Sequence, residues 1–375
     1  MEKQHFFLLL LCLAIVVIHS ANAQVPAVFI LGDSTADTGT NNFLNDSSTP
    51  KANFPPYGID FPHSRPTGRF SNGLNSADFL TKLLGFKRSP VPYFVIEKNT
   101  KFIKRPSFRG ANFASGGSGI LDITGQQMLG LPFFGYGNNA SDAGKNVVTL
   151  SEQIEQFSWV CSNLTAIKGA ADAETFLSKS LFFFSVGSND LFGYYYSKSG
   201  VSREQFLSSL GQTYENHLRN IIKLGARKIG IFGIPPVGCC PSQRFFNQSG
   251  GCLEELNSLA VDFQGTINSM MGNLSSEYKD LKYSIGNAYA MTINVINNPR
   301  LFGFRESKSA CCGNGAFNGG GICDSSAKLC PKRQHYLFWD MFHPTKAASK
   351  LAASTLFYGD SRFAAPINVK QLAEA

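Results

Sequence analysis

Residues Ser180–Val186 read Ser-Leu-Phe-Phe-Phe-Ser-Val, a run in which polar and apolar residues do not alternate. A strand with one face in water alternates, whereas one that is apolar along its length has to be covered on both faces. Ala27–Leu31, Ala-Val-Phe-Ile-Leu, makes the same demand. Arg227–Ile231 and Tyr283–Ile285 read as further strands, and Phe108–Phe113 as a possible short one. Helical spacing separates them, at Asn75–Leu84, Leu150–Ile167, Gln205–Leu224 and Leu253–Leu274. A closing helix is expected over Pro344–Tyr358, with proline in its first position. Strand–helix alternation over the whole length predicts an α/β protein with a mostly parallel sheet and helices on both faces. No repeat or long linker interrupts it, so residues 24–375 are expected to form one domain.

In such sheets, functional residues lie beyond the carboxyl ends of the strands. Three polar clusters meet that requirement. Gly32-Asp33-Ser34 follows the first strand, Ala114–Gly119 follows the segment around Phe113, and Gly187-Ser188-Asn189-Asp190 follows Ser180–Val186. A serine one tight turn after a buried strand projects its hydroxyl into the crevice, although serine is also a common helix cap. It needs a base to become a nucleophile. His343 lies in Trp339-Asp340-Met341-Phe342-His343-Pro344, where Asp340 can reach the far nitrogen of its ring and stabilise the imidazolium. His217 falls within an amphipathic helix and reads as a surface residue, and His63 and His335 lie in loop sequence. Gly116 could offer a backbone N–H, and Asn189 a side-chain amide, to a developing oxyanion.

The amino terminus bears on compartment. Lys3 precedes the apolar run Phe6–Ile18, and Ala21-Asn22-Ala23 then supplies a small-x-small cleavage site. Residues 1–23 have the layout of a signal peptide, and the run is shorter than the roughly 20 residues a membrane span needs. Secretion to the extracellular space or cell wall is expected. Sequons at Asn45, Asn139, Asn163, Asn247 and Asn273 are expected glycosylation sites. Of nine cysteines, Cys12 falls in the signal segment, which leaves an even number for disulfides. Bridges are expected mainly within two groups, Cys239, Cys240 and Cys252, and Cys311, Cys312, Cys323 and Cys330. No C-x2-C pair supports a metal centre. The net charge of +8 is spread over short clusters without nucleic-acid-binding motifs, so no nucleic-acid partner is expected. The 33 phenylalanines are enough both to pack a core and to line a pocket for an apolar acyl chain.

Several blocks together resemble the plant-type GDSL esterase/lipases of the SGNH hydrolase superfamily. They are Phe29–Ser34 with Asp37-Thr38-Gly39 and Asn41-Asn42, Pro66–Gly73, Gly110–Gly117, Val186–Asp190, Gly233–Cys239 and Asp340–Pro344. They run in order over nearly the whole mature chain. The resemblance implies a three-layer α/β/α sandwich and a metal-free and cofactor-free site. Ser34 becomes the nucleophile, His343 its base and Asp340 the partner of that base. Oxyanion donors would be the Ser34 N–H, Gly116 and Asn189. One position departs from the family pattern: the leucine usual after the nucleophile is Thr35 here. The expected activity is hydrolysis of a carboxylic ester of a lipid, an acetylated polysaccharide or an acylated small molecule. The same acyl-enzyme could instead pass its acyl group to an alcohol, and a binding or defence protein could reuse the scaffold without activity.

Overall fold

The computed structural model describes residues 25–125, 147–197 and 200–375. The segment read as a signal peptide and the sequon at Asn139 lie outside the described residues. Strands β1 (Val28–Gly32), β2 (Leu181–Ser185), β3 (Lys228–Phe232) and β4 (Lys282–Gly286) pair in that order, all parallel. A short fifth strand, β5 (Ala364–Pro366), closes the sheet antiparallel to β4. Each of the four parallel strands lies within a residue or two of its sequence expectation. The segment at Phe108–Phe113 makes only an isolated parallel bridge, Ile30 to Asn112, which a second bridge links to Pro92. It still extends the sheet, because Ile30 N donates to Ala111 O at 3.0 Å and Phe113 N to Ile30 O at 2.8 Å.

Helices α1 (Ser76–Leu83), α2 (Leu150–Lys168), α3 (Ser188–Ser197), α4 (Arg203–Lys223), α5 (Glu254–Glu277) and α6 (Lys346–Tyr358) cover the sheet. Alternate strand residues point to opposite faces. Phe29, Leu31, Phe182 and Phe184 pack with α2, α3, α4 and α5. Val28, Ile30, Leu181 and Phe183 pack with α1 and α6. The fold is therefore an α/β sandwich, and the uninterrupted apolar strands are what two covered faces require. Much of the phenylalanine is core: the Phe29 ring lies 5.1 Å from those of both Phe157 and Phe182.

Two expectations are corrected. Helix α6 begins at Lys346, not Pro344, because the Thr345 side chain accepts the Ala348 N–H and caps the helix. Pro344 instead bridges to Phe338. His217, expected at the surface, is buried, with Nε2 3.0 Å from Ile120 O. Burial holds its pKa below the ordinary value.

Disulfides join Cys239 to Cys252, Cys311 to Cys330 and Cys312 to Cys323, all within the two expected groups. Cys161 and Cys240 are buried thiols. Two of these bridges brace the 311–330 loop from within, and backbone bonds tie it to the segment that carries Asp340: Cys311 N donates to Phe338 O and Cys312 N to Trp339 O. Among the described residues, no helix is long and apolar enough to cross a membrane.

Candidate active site

The end of β1 turns sharply at Gly32, whose φ of +148° and closeness to β2 admit no side chain. A Cβ there would sit 2.1 Å from Ser185 O. Gln153 of α2 holds this turn, accepting from Gly32 N at 2.8 Å and donating to Gly32 O at 2.9 Å. Ser34 follows, half-buried at the rim of a cleft.

His343 arrives from the other end of the chain. Its Nε2 lies 2.8 Å from Ser34 Oγ. Its Nδ1 lies 2.9 Å from both carboxylate oxygens of Asp340. Asp340 is fixed in turn: Oδ1 accepts the N–H groups of Phe342 and His343, and Oδ2 accepts Tyr57 OH at 2.9 Å. Burial disfavours its charge, but the neighbouring His343 and these donors outweigh that effect and hold its carboxyl below the usual range. Phe70 packs against the imidazole, ring centres 5.0 Å apart. The hydroxyl, the imidazole and the carboxylate thus form one line, in which an ionised Asp340 keeps the proton on Nδ1 and leaves Nε2 free to accept.

The expected oxyanion donors divide. Asn189 lines the cleft, and its Nδ2 donates to Ser118 O at 2.8 Å, which leaves one amide hydrogen for a ligand. Gly116 does not face the cleft in the way expected, because its N–H donates to the buried Asp37 carboxylate at 3.0 Å. Gly117 lines the cleft instead, with a φ of +90°. Among the described residues, neither the Gly117 N–H nor the Ser34 N–H donates to a protein group. The Gly-Gly pair was visible in the sequence, but which of its two amides faces inward depends on Asp37, 79 residues away.

Thr35 fills the place usually held by leucine, and its hydroxyl is used. It lies 2.7 Å from Asp33 Oδ1 and 2.7 Å from Ser185 Oγ. Thr35 N also donates to Asp33 Oδ1, at 2.9 Å. Burial raises the Asp33 carboxyl to about 6, against the lowering effect of the two bonds it accepts from the Thr35 hydroxyl and N–H.

From Ser34 the cleft opens into a cavity of about 490 Å³. Phe192, Ile234, Val295, Phe302, Leu337 and Leu351 form much of its wall. That part of the wall is apolar, while Lys51, Asn53, Asn189 and Asn294 are among the polar residues that line the rest.

The profile of the GDSL-like Lipase/Acylhydrolase family matches residues 28–356. The chain belongs to this family. It is 37% identical over 341 residues to GDSL esterase/lipase At5g03820 of Arabidopsis thaliana, covering 88% of this chain and 90% of the relative. It is 35% identical over 356 residues to GDSL esterase/lipase At2g42990 of the same plant, covering 93% and 95%. GDSL esterase/lipase LTL1, also from Arabidopsis thaliana, is 34% identical over 350 residues, covering 92% and 89%. The GDSL match takes in Ser34, Asn189, Asp340 and His343 alike.

Proposed function

We propose that this GDSL protein is a secreted carboxylic-ester hydrolase that works through an acyl-enzyme on Ser34. The observation that carries the reading is the continuous hydrogen-bonded line from Ser34 Oγ through His343 to Asp340. Ser34 Oγ attacks the ester carbonyl carbon while its proton passes to His343 Nε2. The tetrahedral oxyanion is met by the N–H groups of Ser34 and Gly117, the latter in place of Gly116, and by the Asn189 amide. The intermediate collapses, and the alcohol departs with the proton from His343. Water then gives a proton to His343 and attacks the acyl carbon, and the second intermediate collapses as His343 returns the proton to Ser34 Oγ and the acid departs. The imidazolium formed in each half is stabilised by Asp340. The apolar cavity beside Ser34 suits an acyl chain.

Secretion is supported by the signal-peptide layout of residues 1–23 and by three disulfides, which persist in oxidising compartments. Residues 24–375 are read as one domain, and glycans suit the exposed Asn45 and Asn273 best. Asn247 donates to both Gly251 O and Cys252 O, so a glycan there displaces one of those bonds, whereas Asn163 donates to Trp159 O and has a second amide hydrogen.

The test is a screen of p-nitrophenyl esters, run beside labelling with a serine-directed fluorophosphonate. Wild-type protein should hydrolyse the esters and take the label, and Ser34→Ala should do neither. Near-normal turnover by Ser34→Ala would refute the assignment.

A further inference from the structure

The peptide between Gly116 and Gly117 has one polar group on each side. A trans peptide is planar, so its C=O and its N–H point in opposite directions. Gly116 O accepts a hydrogen bond from Asn41 Nδ2 at 2.8 Å. That bond fixes the far side of the plane and turns the Gly117 N–H the other way, toward the cleft that Gly117 lines with Ser34 and Asn189. It also polarises the peptide, because a carbonyl that accepts a hydrogen bond makes its own N–H a stronger donor.

Asn41 is built into place. It is 1% exposed. Its Nδ2 also donates to Pro50 O at 2.8 Å, and its Oδ1 accepts the Ser115 hydroxyl at 2.5 Å. Asp37 grips the preceding peptide, taking the Gly116 N–H at 3.0 Å and those of Gly39 and Thr40 at 2.6 and 2.7 Å. The phenyl ring of Phe70 closes the remaining side, since a Cβ on Gly116 would meet its Cε2 at 2.5 Å.

We infer that Asn41 is a positioning residue for the oxyanion site: through Gly116 O it orients and polarises the Gly117 N–H that meets the tetrahedral intermediate. Asp37 supports it by keeping the Gly116 N–H turned away from the cleft. This rests on the reading of Ser34 as the acylated nucleophile.

The test is Asn41→Asp, which keeps the shape of the side chain and removes both N–H donors. With a short-chain p-nitrophenyl ester, kcat should fall about 10- to 100-fold, less than or equal to the loss of a whole oxyanion donor, while KM stays within about threefold. Affinity for a trifluoromethyl ketone, which forms a tetrahedral adduct at Ser34, should fall by the same factor as kcat/KM. A merely structural role would lower the melting temperature and the amount of folded protein, yet leave kcat per folded molecule and inhibitor affinity unchanged. That result would overturn the inference. Should Asn41→Asp not fold, Ser115→Ala carries the test, because with the loss of a single oxygen it frees Asn41 Oδ1, and the Val148 N–H that the same oxygen accepts lies away from the cleft-facing peptide. It should lower kcat about 2- to 10-fold at constant KM by part-release of one donor, and a wild-type kcat would overturn the inference. A wild-type protein without esterase activity or fluorophosphonate labelling would instead refute the proposed function.

Discussion

His343 Nε2 stands 2.8 Å from Ser34 Oγ across 309 residues of sequence. β1 delivers Ser34 at its carboxyl end, and the turn after Phe338, which lies outside the five-stranded sheet, brings Asp340 and His343 to it. The imidazole can accept from Ser34 only while Nδ1 keeps its proton, and Asp340 enforces that state.

Asp340→Asn therefore tests the tautomer rather than the shape. The amide can present its NH2 to Nδ1 and force the proton onto Nε2. Ester turnover should fall by about three to four decades, as in serine triads altered in the same way, with little change in melting temperature. A loss under tenfold would mean that the carboxylate does not set the tautomer.

Thr35→Val keeps the side-chain volume and removes the hydroxyl shared by Asp33 and Ser185. The variant should be less stable by about 1–3 kcal/mol, the usual result of leaving buried polar groups unpaired. The loss should depend on pH. Asp33 is raised to about 6 by burial, and the Thr35 hydroxyl and N–H oppose that rise, so removing the hydroxyl while the N–H stays pushes the carboxyl higher still. A carboxyl raised by folding adds stability below its unfolded value, and that stability is lost as pH rises through its folded value. The gap in melting temperature between wild type and variant should therefore be wider at pH 8 than at pH 5. Equal gaps would remove Asp33 from the explanation.

Ala352 lies on the cavity wall. Ala352→Phe should exclude two or three methylenes of a long acyl chain, each worth about 0.8 kcal/mol when buried. The kcat/KM for a long-chain p-nitrophenyl ester should drop about 15- to 60-fold while that for the acetate stays within about twofold. A parallel loss on both esters would show that the cavity does not hold the acyl chain.

What the sequence showed and what it hid have the same physical source. Ser180–Val186 and Ala27–Leu31 announced buried parallel strands because their covering is written into their own residues. Asp340 and His343 were legible because three residues separate them and their contact is local. His217 is buried against its sequence reading because helical spacing ranks residues by face and cannot show that Ile120 O meets its ring nitrogen. Gln153 and Tyr57 passed unnoticed because their partners, Gly32 and Asp340, lie 121 and 283 residues away. Nothing in the sequence tells Gly117 from Gly116, because neighbouring glycines look alike until Asp37 claims one of their amides.

Each margin of the sheet ends near a proline. Beyond β1 the pairing passes through Asn112 to Pro92, and beyond β4 it stops at a three-residue strand that ends in Pro366. Proline has no N–H to offer a further strand, so neither border presents a full ladder to a neighbouring molecule. Both borders of this sheet are thus poor templates for edge-to-edge joining with another molecule.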